Sequence, residues 1–228
     1  ASDQHAWFAE SRASRDNSKA DWFVWADAKS DGSPADNRRA MFGGPSWTWD
    51  SRRRQYYLHN FLIEQPDLNV RNPAVQGALL ETARFWLERG VDGFRLDVVN
   101  FLIQDAQLRD NPSLAPSKPR ARPHQYQRHL YDRTQPETLE FIARLRKLPD
   151  EYGTMAVGEI EDEEPLKVQR AYTDGDDRLQ TAYSFFLLRT QKMTPLAIKE
   201  AVAQWEGARG WPSWSLSNHD VVRFPSRL

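Results

Sequence analysis

A proline opens each of four helix-compatible segments of this 228-residue chain, and short apolar runs alternate with those segments. Proline is tolerated in a first helical turn because the N–H group at that position has no partner within the helix. The apolar runs have the length and composition of buried strands. The prolines are Pro73, Pro136, Pro165 and Pro195, and the predicted strands cover residues 91–99, 154–160, 181–187 and 213–217.

The repeated order of helix and strand restricts the fold. Strands that are separated by helices pair in parallel through right-handed crossovers, and helices then cover both faces of the sheet. The first helix is predicted from Pro73 to about Arg89, with Gly90 as its left-handed cap, and the second is predicted to end before Pro149. The sequence therefore predicts an α/β fold with a parallel sheet.

Two regions do not follow this alternation. Residues 1–71 are rich in Gly, Pro, Asn, Asp and aromatic residues, and we predict an irregular subdomain there, followed by the repeating part at 72–228. Residues 109–134 form a loop that is too long for a passive connection. Its basic residues suit a phosphate or nucleic-acid contact, but a solvated lid over the carboxyl end of the sheet is the preferred interpretation.

Composition excludes several classes of function. The formal net charge is −1, so no overall field attracts nucleic acid or an anionic membrane, and an uncharged small molecule is the expected partner. The chain has no cysteine, which excludes thiol catalysis and thiolate metal sites. Its first residues lack the order of a signal peptide, and a cytoplasmic location is the expectation.

Arg95 and Asp97 lie two residues apart inside an apolar run, so a strand would place both on one side. A buried arginine needs an anion, and a nearby cation favours the ionised form of an aspartate. A permanently charged carboxylate suits a nucleophile. A structural ion pair at the end of the strand explains the same two residues, and the alternation alone does not separate these interpretations.

Glu159 ends a second apolar run, within the sequence TMAVGEIEDEE. A glutamate in an apolar pocket can keep its proton and serve first as a general acid and then as a general base. The other interpretation is a glutamate that caps the following helix.

The third constellation is Asn218, His219 and Asp220, which follow the predicted strand 213–217. A His-Asp pair is found in metal sites, hydrolase triads and substrate clamps, and also as an ordinary turn. No G-x-S-x-G or H-E-x-x-H pattern accompanies it, so a serine nucleophile or a metal has no anchor in the sequence. We predict no metal and no cofactor.

The three constellations gain weight from their shared position. Asp97, Glu159 and Asp220 would all lie at carboxyl ends of parallel strands, where (β/α) barrels assemble their active sites. Two carboxylates in unequal environments, about 5–5.5 Å apart, are what retaining glycoside hydrolysis requires.

The segments GFRLDVVN, VGEI and SNHD, in this order, resemble the second, third and fourth signature regions of the α-amylase family of glycoside hydrolases. QPDLN at residues 65–69 resembles the extra region of its oligo-1,6-glucosidase and α-glucosidase branch. The resemblance implies a (β/α)8 TIM barrel, of which this chain would hold about strands four to seven. Residues 1–71 would be the insertion that follows strand three.

The resemblance also implies a role for each matching position. Asp97 would be the nucleophile, Glu159 the acid/base and Asp220 the stabiliser of the transition state. Substrate-binding residues would be Arg95, His219, Gln65, Val98 and Arg223. The implied activity is that of a retaining α-glucosidase that hydrolyses, and in some members transfers, the terminal glucose of short α-glucosides.

Alternatives within this resemblance are a sucrose or trehalose isomerase, a glucosyltransferase, and an inactive relative that binds sugar or protein. The first signature region and the cation site of some members have no counterpart, so we expect an internal fragment that is inactive and aggregation-prone by itself. Val98, beside the nucleophile position, resembles the α-1,6-preferring enzymes, and the linkage preference stays a hypothesis at this point.

Overall fold

The computed structural model describes residues 1–115, 119–190 and 192–226. The chain divides into two compact units, each of which draws on two separate segments. The first unit comprises Ala1–Leu79 with Phe101–Gln135, and the second comprises Leu80–Asn100 with Pro136–Leu228. These units are defined by contacts within the chain, and the predicted division into an insertion at residues 1–71 and a barrel part at 72–228 stays a prediction.

The first unit contains regular structure that the sequence analysis did not predict. In a three-stranded antiparallel sheet, the last strand along the chain lies between the other two, and the strands are short and rich in Trp and Tyr. Phe8, Phe23 and Tyr57 form a buried aromatic cluster beside it. The elements are helix α1 (Ala6–Ala13) and strands β1 (Trp25–Ala26), β2 (Trp47–Asp50) and β3 (Gln55–Leu58).

The long segment after the first parallel strand belongs to this same unit rather than forming a fully solvated lid. The Asn37 side chain donates a hydrogen bond to the carbonyl of Asn111 (2.9 Å), and Gln127 Nε2 donates to the carbonyl of Asn37 (2.9 Å). Asp132 and Arg133 are almost fully buried. Polar side chains that satisfy one another in this way can be buried, and composition alone does not reveal it.

The second unit holds a four-stranded parallel sheet, whose strands lie side by side in the order in which they follow along the chain. Helices precede and connect the strands, which confirms the predicted α/β alternation. The elements are α2 (Pro73–Leu87), which begins in the first unit, β4 (Gly93–Leu96), α3 (Glu137–Tyr152), β5 (Met155–Ile160), α4 (Pro165–Ala171), β6 (Thr181–Ser184), α5 (Phe185–Arg189), α6 (Pro195–Ala203) and β7 (Trp211–Pro212).

Apolar packing joins the helices to the sheet in this unit. Leu87, Leu145 and Leu148 form a buried cluster against which Phe94 and Leu96 of β4 pack. Burying one such leucine stabilises the fold by about 2 kcal/mol. This cluster supports β4, the strand that leads to Asp97.

Helix boundaries follow the predicted proline starts more closely than the predicted ends. The prediction that the second helix ends before Pro149 is wrong, because α3 includes Pro149 and ends at Tyr152. A proline in the last turn removes one backbone hydrogen bond, and its carbonyl still accepts from the N–H of Gly153, which has the left-handed conformation (φ 63°). The predicted strand 181–187 is also too long, because α5 begins at Phe185.

Gly93 is required where β4 lies closest to β5. A Cβ atom at this position would lie 2.0 Å from the carbonyl oxygen of Met155, and the φ angle of +149° also disfavours other residues. Close approach of the two backbones therefore depends on glycine at the start of β4.

In the described parts of the chain, every helix is too short or too polar to cross a lipid bilayer.

Candidate active site

Arg95 and Asp97 lie at the carboxyl end of β4. The parallel ladder pairs Arg95 with Val157, and Asp97 is the first residue beyond the strand. Residues two apart project to the same side, and a guanidinium nitrogen of Arg95 donates a hydrogen bond to Asp97 Oδ1. The Asp97 side chain is 71% exposed, so the carboxylate is open to solvent.

Glu159 lies on β5 next to this pair and is buried, with 2% of its surface exposed. Its Oε2 atom lies 2.7 Å from Arg95 Nη2 and accepts a hydrogen bond from the backbone N–H of Val98 (3.1 Å). Its Oε1 atom accepts a hydrogen bond from the Tyr183 hydroxyl (2.7 Å). Both oxygens of this buried carboxylate therefore have protein partners.

One arginine serves both carboxylates, whereas the sequence analysis assigned it to Asp97 alone. A guanidinium group presents several N–H donors in one plane, and here they reach two neighbouring strands. Although burial alone would lower the pKa of Arg95, hydrogen bonds to Tyr183 and Asp97 and the charge of Glu159 raise it above its usual value. Arg95 is therefore a permanent cation between an exposed and a buried carboxylate.

Tyr183 is a site residue that the sequence analysis missed. It lies on β6, directly opposite Glu159 in the parallel ladder, and its hydroxyl oxygen accepts a hydrogen bond from Arg95 Nη2 (2.9 Å). Burial, together with the bond to Glu159, raises the pKa of Tyr183 to about 12. The sequence does show a tyrosine in the apolar run that forms the next strand after the one with Glu159. It does not show the register of the two strands, which decides which of their residues become neighbours.

Backbone geometry around the carboxylates is restricted as well. A Cβ atom at Gly158 would lie 2.6 Å from a Leu179 side-chain carbon, so only glycine fits next to Glu159 without a shift. Val98 has a φ angle of +32°, which is unusual for a β-branched residue and stores backbone strain. That conformation accompanies the hydrogen bond from its N–H group to Glu159.

The predicted strand 213–217 does not form, and this changes the position of the third constellation. The strand found here is β7, Trp211–Pro212. The Ser217 hydroxyl accepts a hydrogen bond from the N–H of Phe224 (2.6 Å), and Asn218 Oδ1 accepts one from Asp220 (2.9 Å). Such local bonds from Ser and Asn side chains compete with a strand ladder.

His219 and Asp220 are exposed, and their nearest charged atoms are 3.6 Å apart. Within residues 1–115, 119–190 and 192–226, no hydrogen bond or ion pair links Asp220 to Asp97, Glu159 or Arg95. Arg223 is exposed and accepts a backbone hydrogen bond from Ser226. Hydrogen bonds and ion pairs link Arg95, Asp97, Val98 and Glu159 to one another, and the roles of His219, Asp220 and Arg223 stay predictions.

Gln65 lies in the first unit. Its side-chain oxygen accepts a hydrogen bond from the N–H of Leu62 (3.3 Å), and its own N–H donates to the carbonyl of Leu62 (2.9 Å). Gln65 thus stabilises a local turn, and its role in substrate binding stays a prediction.

In the described part of the chain, one group of ionisable side chains is compact enough to share a metal ion: His124, His129 and Asp132, with candidate ligand atoms within 4.8 Å of one another. His129 Nδ1 and Asp132 Oδ2 are 2.6 Å apart, and a guanidinium nitrogen of Arg133 lies 2.9 Å from His124 Nε2. A permanent cation at the ligand atom disfavours a bound metal. The group fits a buried hydrogen-bond network better, and the absence of a metal or cofactor stays a prediction.

Comparisons with known proteins identify the family of the chain. The model of the alpha amylase catalytic domain matches residues 1–228. A probable alpha-glucosidase of Rhizobium meliloti (strain 1021) is 51% identical over 99% of this chain, which spans 43% of that relative.

Two solved structures have similar folds. An alpha-glucosyl transfer enzyme superposes with a TM-score of 0.94 at 50% identity, over 99% of this chain and 44% of that structure. Trehalulose synthase from Pseudomonas mesoacidophila MX-45 superposes with a TM-score of 0.86 at 31% identity, over 100% of this chain and 41% of that structure. The match over the whole chain and the identity to these proteins place the chain in the alpha-amylase family, to whose catalytic domain its residues correspond.

Proposed function

We propose that the protein is a retaining α-glucosidase that acts on terminal α-linked glucose in short oligosaccharides or α-glucosides. The observation that carries this proposal is the Arg95 guanidinium, which contacts an exposed carboxylate, Asp97, and a buried one, Glu159, at adjacent strand ends. Retaining glycosidases need two neighbouring carboxyl groups with different roles. The name of the Rhizobium relative supports the same class of substrate.

The exposed carboxylate is the proposed nucleophile. Asp97 attacks the anomeric carbon, the bond from that carbon to the leaving oxygen breaks, and Glu159 gives its proton to the leaving oxygen. Water then attacks the same carbon and gives its proton to Glu159, so that glucose is released and Asp97 is free again. Each carboxyl group therefore returns to its starting state after one turnover.

Burial supports the division of labour between the two groups. Burial penalises charge, and Glu159 is 2% exposed whereas the Asp97 side chain is 71% exposed. Glu159 therefore has the enclosed position that suits a general acid, and Asp97 has the open position that suits a nucleophile.

Transfer of glucose to an acceptor other than water is the second candidate function. The structure that superposes with a TM-score of 0.94 is an alpha-glucosyl transfer enzyme, which favours this candidate. Transfer uses the same glycosyl-enzyme and differs only in the molecule that attacks it. Isomerisation of sucrose is a further alternative, because the chain is similar to a trehalulose synthase whose substrate is sucrose. It would need the released fructose to attack the glycosyl-enzyme in place of water.

Product analysis of the full-length enzyme that contains this chain, with maltose, isomaltose and sucrose as substrates, tests the proposed function, and the variants below are made in that full-length enzyme. We expect glucose whose first-formed anomer is α, because two displacements at one carbon restore the starting configuration. Time-resolved proton NMR measures the anomer, and chromatography with an added alcohol acceptor measures transfer. A first-formed β anomer contradicts the retaining mechanism, and an isomer of sucrose as the main product supports isomerisation instead.

Val98 carries a prediction about linkage. A valine beside the nucleophile resembles the α-1,6-preferring enzymes, so we expect a higher kcat/KM for isomaltose than for maltose. Val98→Thr keeps the β-branched shape and the N–H group that bonds Glu159, and we expect it to shift this ratio toward maltose. The matched control is an aryl α-glucoside, whose turnover should change little. A wild-type preference for maltose contradicts the hypothesis.

A further inference from the structure

The Tyr183 hydroxyl lies between two charged groups of the candidate site, Arg95 and Glu159. It accepts a hydrogen bond from Arg95 Nη2 (2.9 Å) and is 2.7 Å from Glu159 Oε1. Arginine has donors only, and a phenol has a single proton. Arg95 therefore donates to Tyr183, and Tyr183 donates to Glu159 while that carboxyl group is ionised.

The hydrogen bond from Tyr183 orients one oxygen of the buried Glu159 carboxylate. Glu159 Oε2 is already contacted by Arg95 and the N–H of Val98, and Tyr183 is the partner of Oε1. Tyr183 and Glu159 are also direct partners in the β5-β6 ladder, so the register of the two strands holds their backbones side by side. The raised pKa of Tyr183, about 12, means that the phenol keeps its proton at neutral pH.

We propose that Tyr183 is a positioning residue for Glu159, whose hydroxyl orients the carboxyl group and balances its protonated and ionised forms during turnover. This inference rests on the proposed function, in which Glu159 is the acid/base. The groups that face Glu159 are Arg95 from β4, the N–H of Val98 and Tyr183 from β6, while Asp97 is linked to it through Arg95.

Tyr183→Phe keeps the ring and removes the hydrogen bonds of the hydroxyl to Arg95 and to Glu159. A hydrogen bond donated to a carboxylate favours its ionised form, so its loss favours the protonated form. We expect the alkaline limb of the kcat/KM profile for isomaltose to move to higher pH. We also expect kcat/KM at neutral pH to fall by about tenfold to hundredfold, because the acid is no longer held in place.

The choice of leaving group separates acid positioning from general damage. A p-nitrophenolate group leaves without a proton, so kcat/KM for p-nitrophenyl α-glucoside should fall much less than that for isomaltose. Equal losses on both substrates, with an unmoved alkaline limb, would overturn the inference and assign Tyr183 to the support of Arg95 or of the fold.

Tyr152→Phe is the matched control. It removes another hydrogen bond from an arginine to a phenol, donated by Arg84 Nη1 (3.1 Å), and it lies in the same unit on α3. We expect this variant to keep the wild-type pH profile and the wild-type ratio between the two substrates. An equal shift in this variant would also overturn the inference.

Glu159→Gln distinguishes the failure of the inference from the failure of the proposed function. If Glu159→Gln loses isomaltose turnover while Tyr183→Phe has a wild-type profile, the inference about Tyr183 is wrong and the proposed acid stands. If Glu159→Gln keeps full turnover of isomaltose, the acid assignment fails, and the inference fails with it.

Discussion

In the full-length enzyme that contains this chain, Asp97→Asn is expected to lower kcat on isomaltose or maltose by on the order of ten-thousand-fold or more. A neutral amide cannot form the covalent glycosyl-enzyme at a useful rate. The side chain is exposed and Arg95 keeps Glu159 and Tyr183 as partners, so the fold should tolerate the change. Initial rates and the thermal unfolding midpoint together measure the effect on activity and on stability.

The control for this prediction is Asp176→Asn in the same unit. Asp176 pairs with Arg209 at 2.7 Å and its side chain is 86% exposed, so this variant removes an exposed aspartate–arginine contact outside the site. It should keep wild-type turnover. If the wild type binds sugar and Asp97→Asn changes neither this binding nor the measured turnover, the proposed enzyme is contradicted. That result would favour an inactive relative that binds sugar.

Asp36→Asn is expected to lower the free energy of unfolding of the protein by about 1–3 kcal/mol, although burial raises the pKa of Asp36 and so penalises its charge. Asp36 and Arg38 form an ion pair at 2.7 Å whose side chains are 0% and 1% exposed, and the Trp47 indole N–H also donates to Asp36 (2.8 Å). The asparagine keeps the volume and an acceptor for Trp47, but it leaves the Arg38 charge without its carboxylate. Urea unfolding measures the loss.

Asp27→Asn is the matched control for this stability effect. It breaks the pair with Arg15, whose side chains are 68% and 44% exposed and which lies in the same unit. Exposed pairs of this kind contribute about 0–1 kcal/mol because water and salt screen them. Equal losses in the two variants would contradict the view that burial gives the Asp36–Arg38 pair its importance.

The comparison of sequence and structure is instructive at particular elements. Proline starts and apolar runs predicted α2, α4 and α6 and the alternation of helices with strands, because these signals act over a few neighbouring residues. The three-stranded sheet of the first unit was not predicted, because its strands have only two to four residues and β1 pairs with β3 across a long stretch of chain. The predicted strand 213–217 failed because Ser217 and Asn218 bond to nearby backbone instead.

The candidate site divides in the same way. The sequence by itself determined that Arg95 and Asp97 share one side of a strand, because strand side chains alternate with a period of two. It also determined that Glu159 follows an apolar run, and hence that two carboxyl groups stand at strand ends.

Only the tertiary structure decided which groups contact one another. The register of β4, β5 and β6 places Arg95 against Glu159 and Tyr183 opposite Glu159, over sequence separations of more than twenty residues. It also buries Glu159 and leaves Asp97 exposed. Register and burial arise from the packing of the whole unit, and local sequence patterns carry no direct record of them.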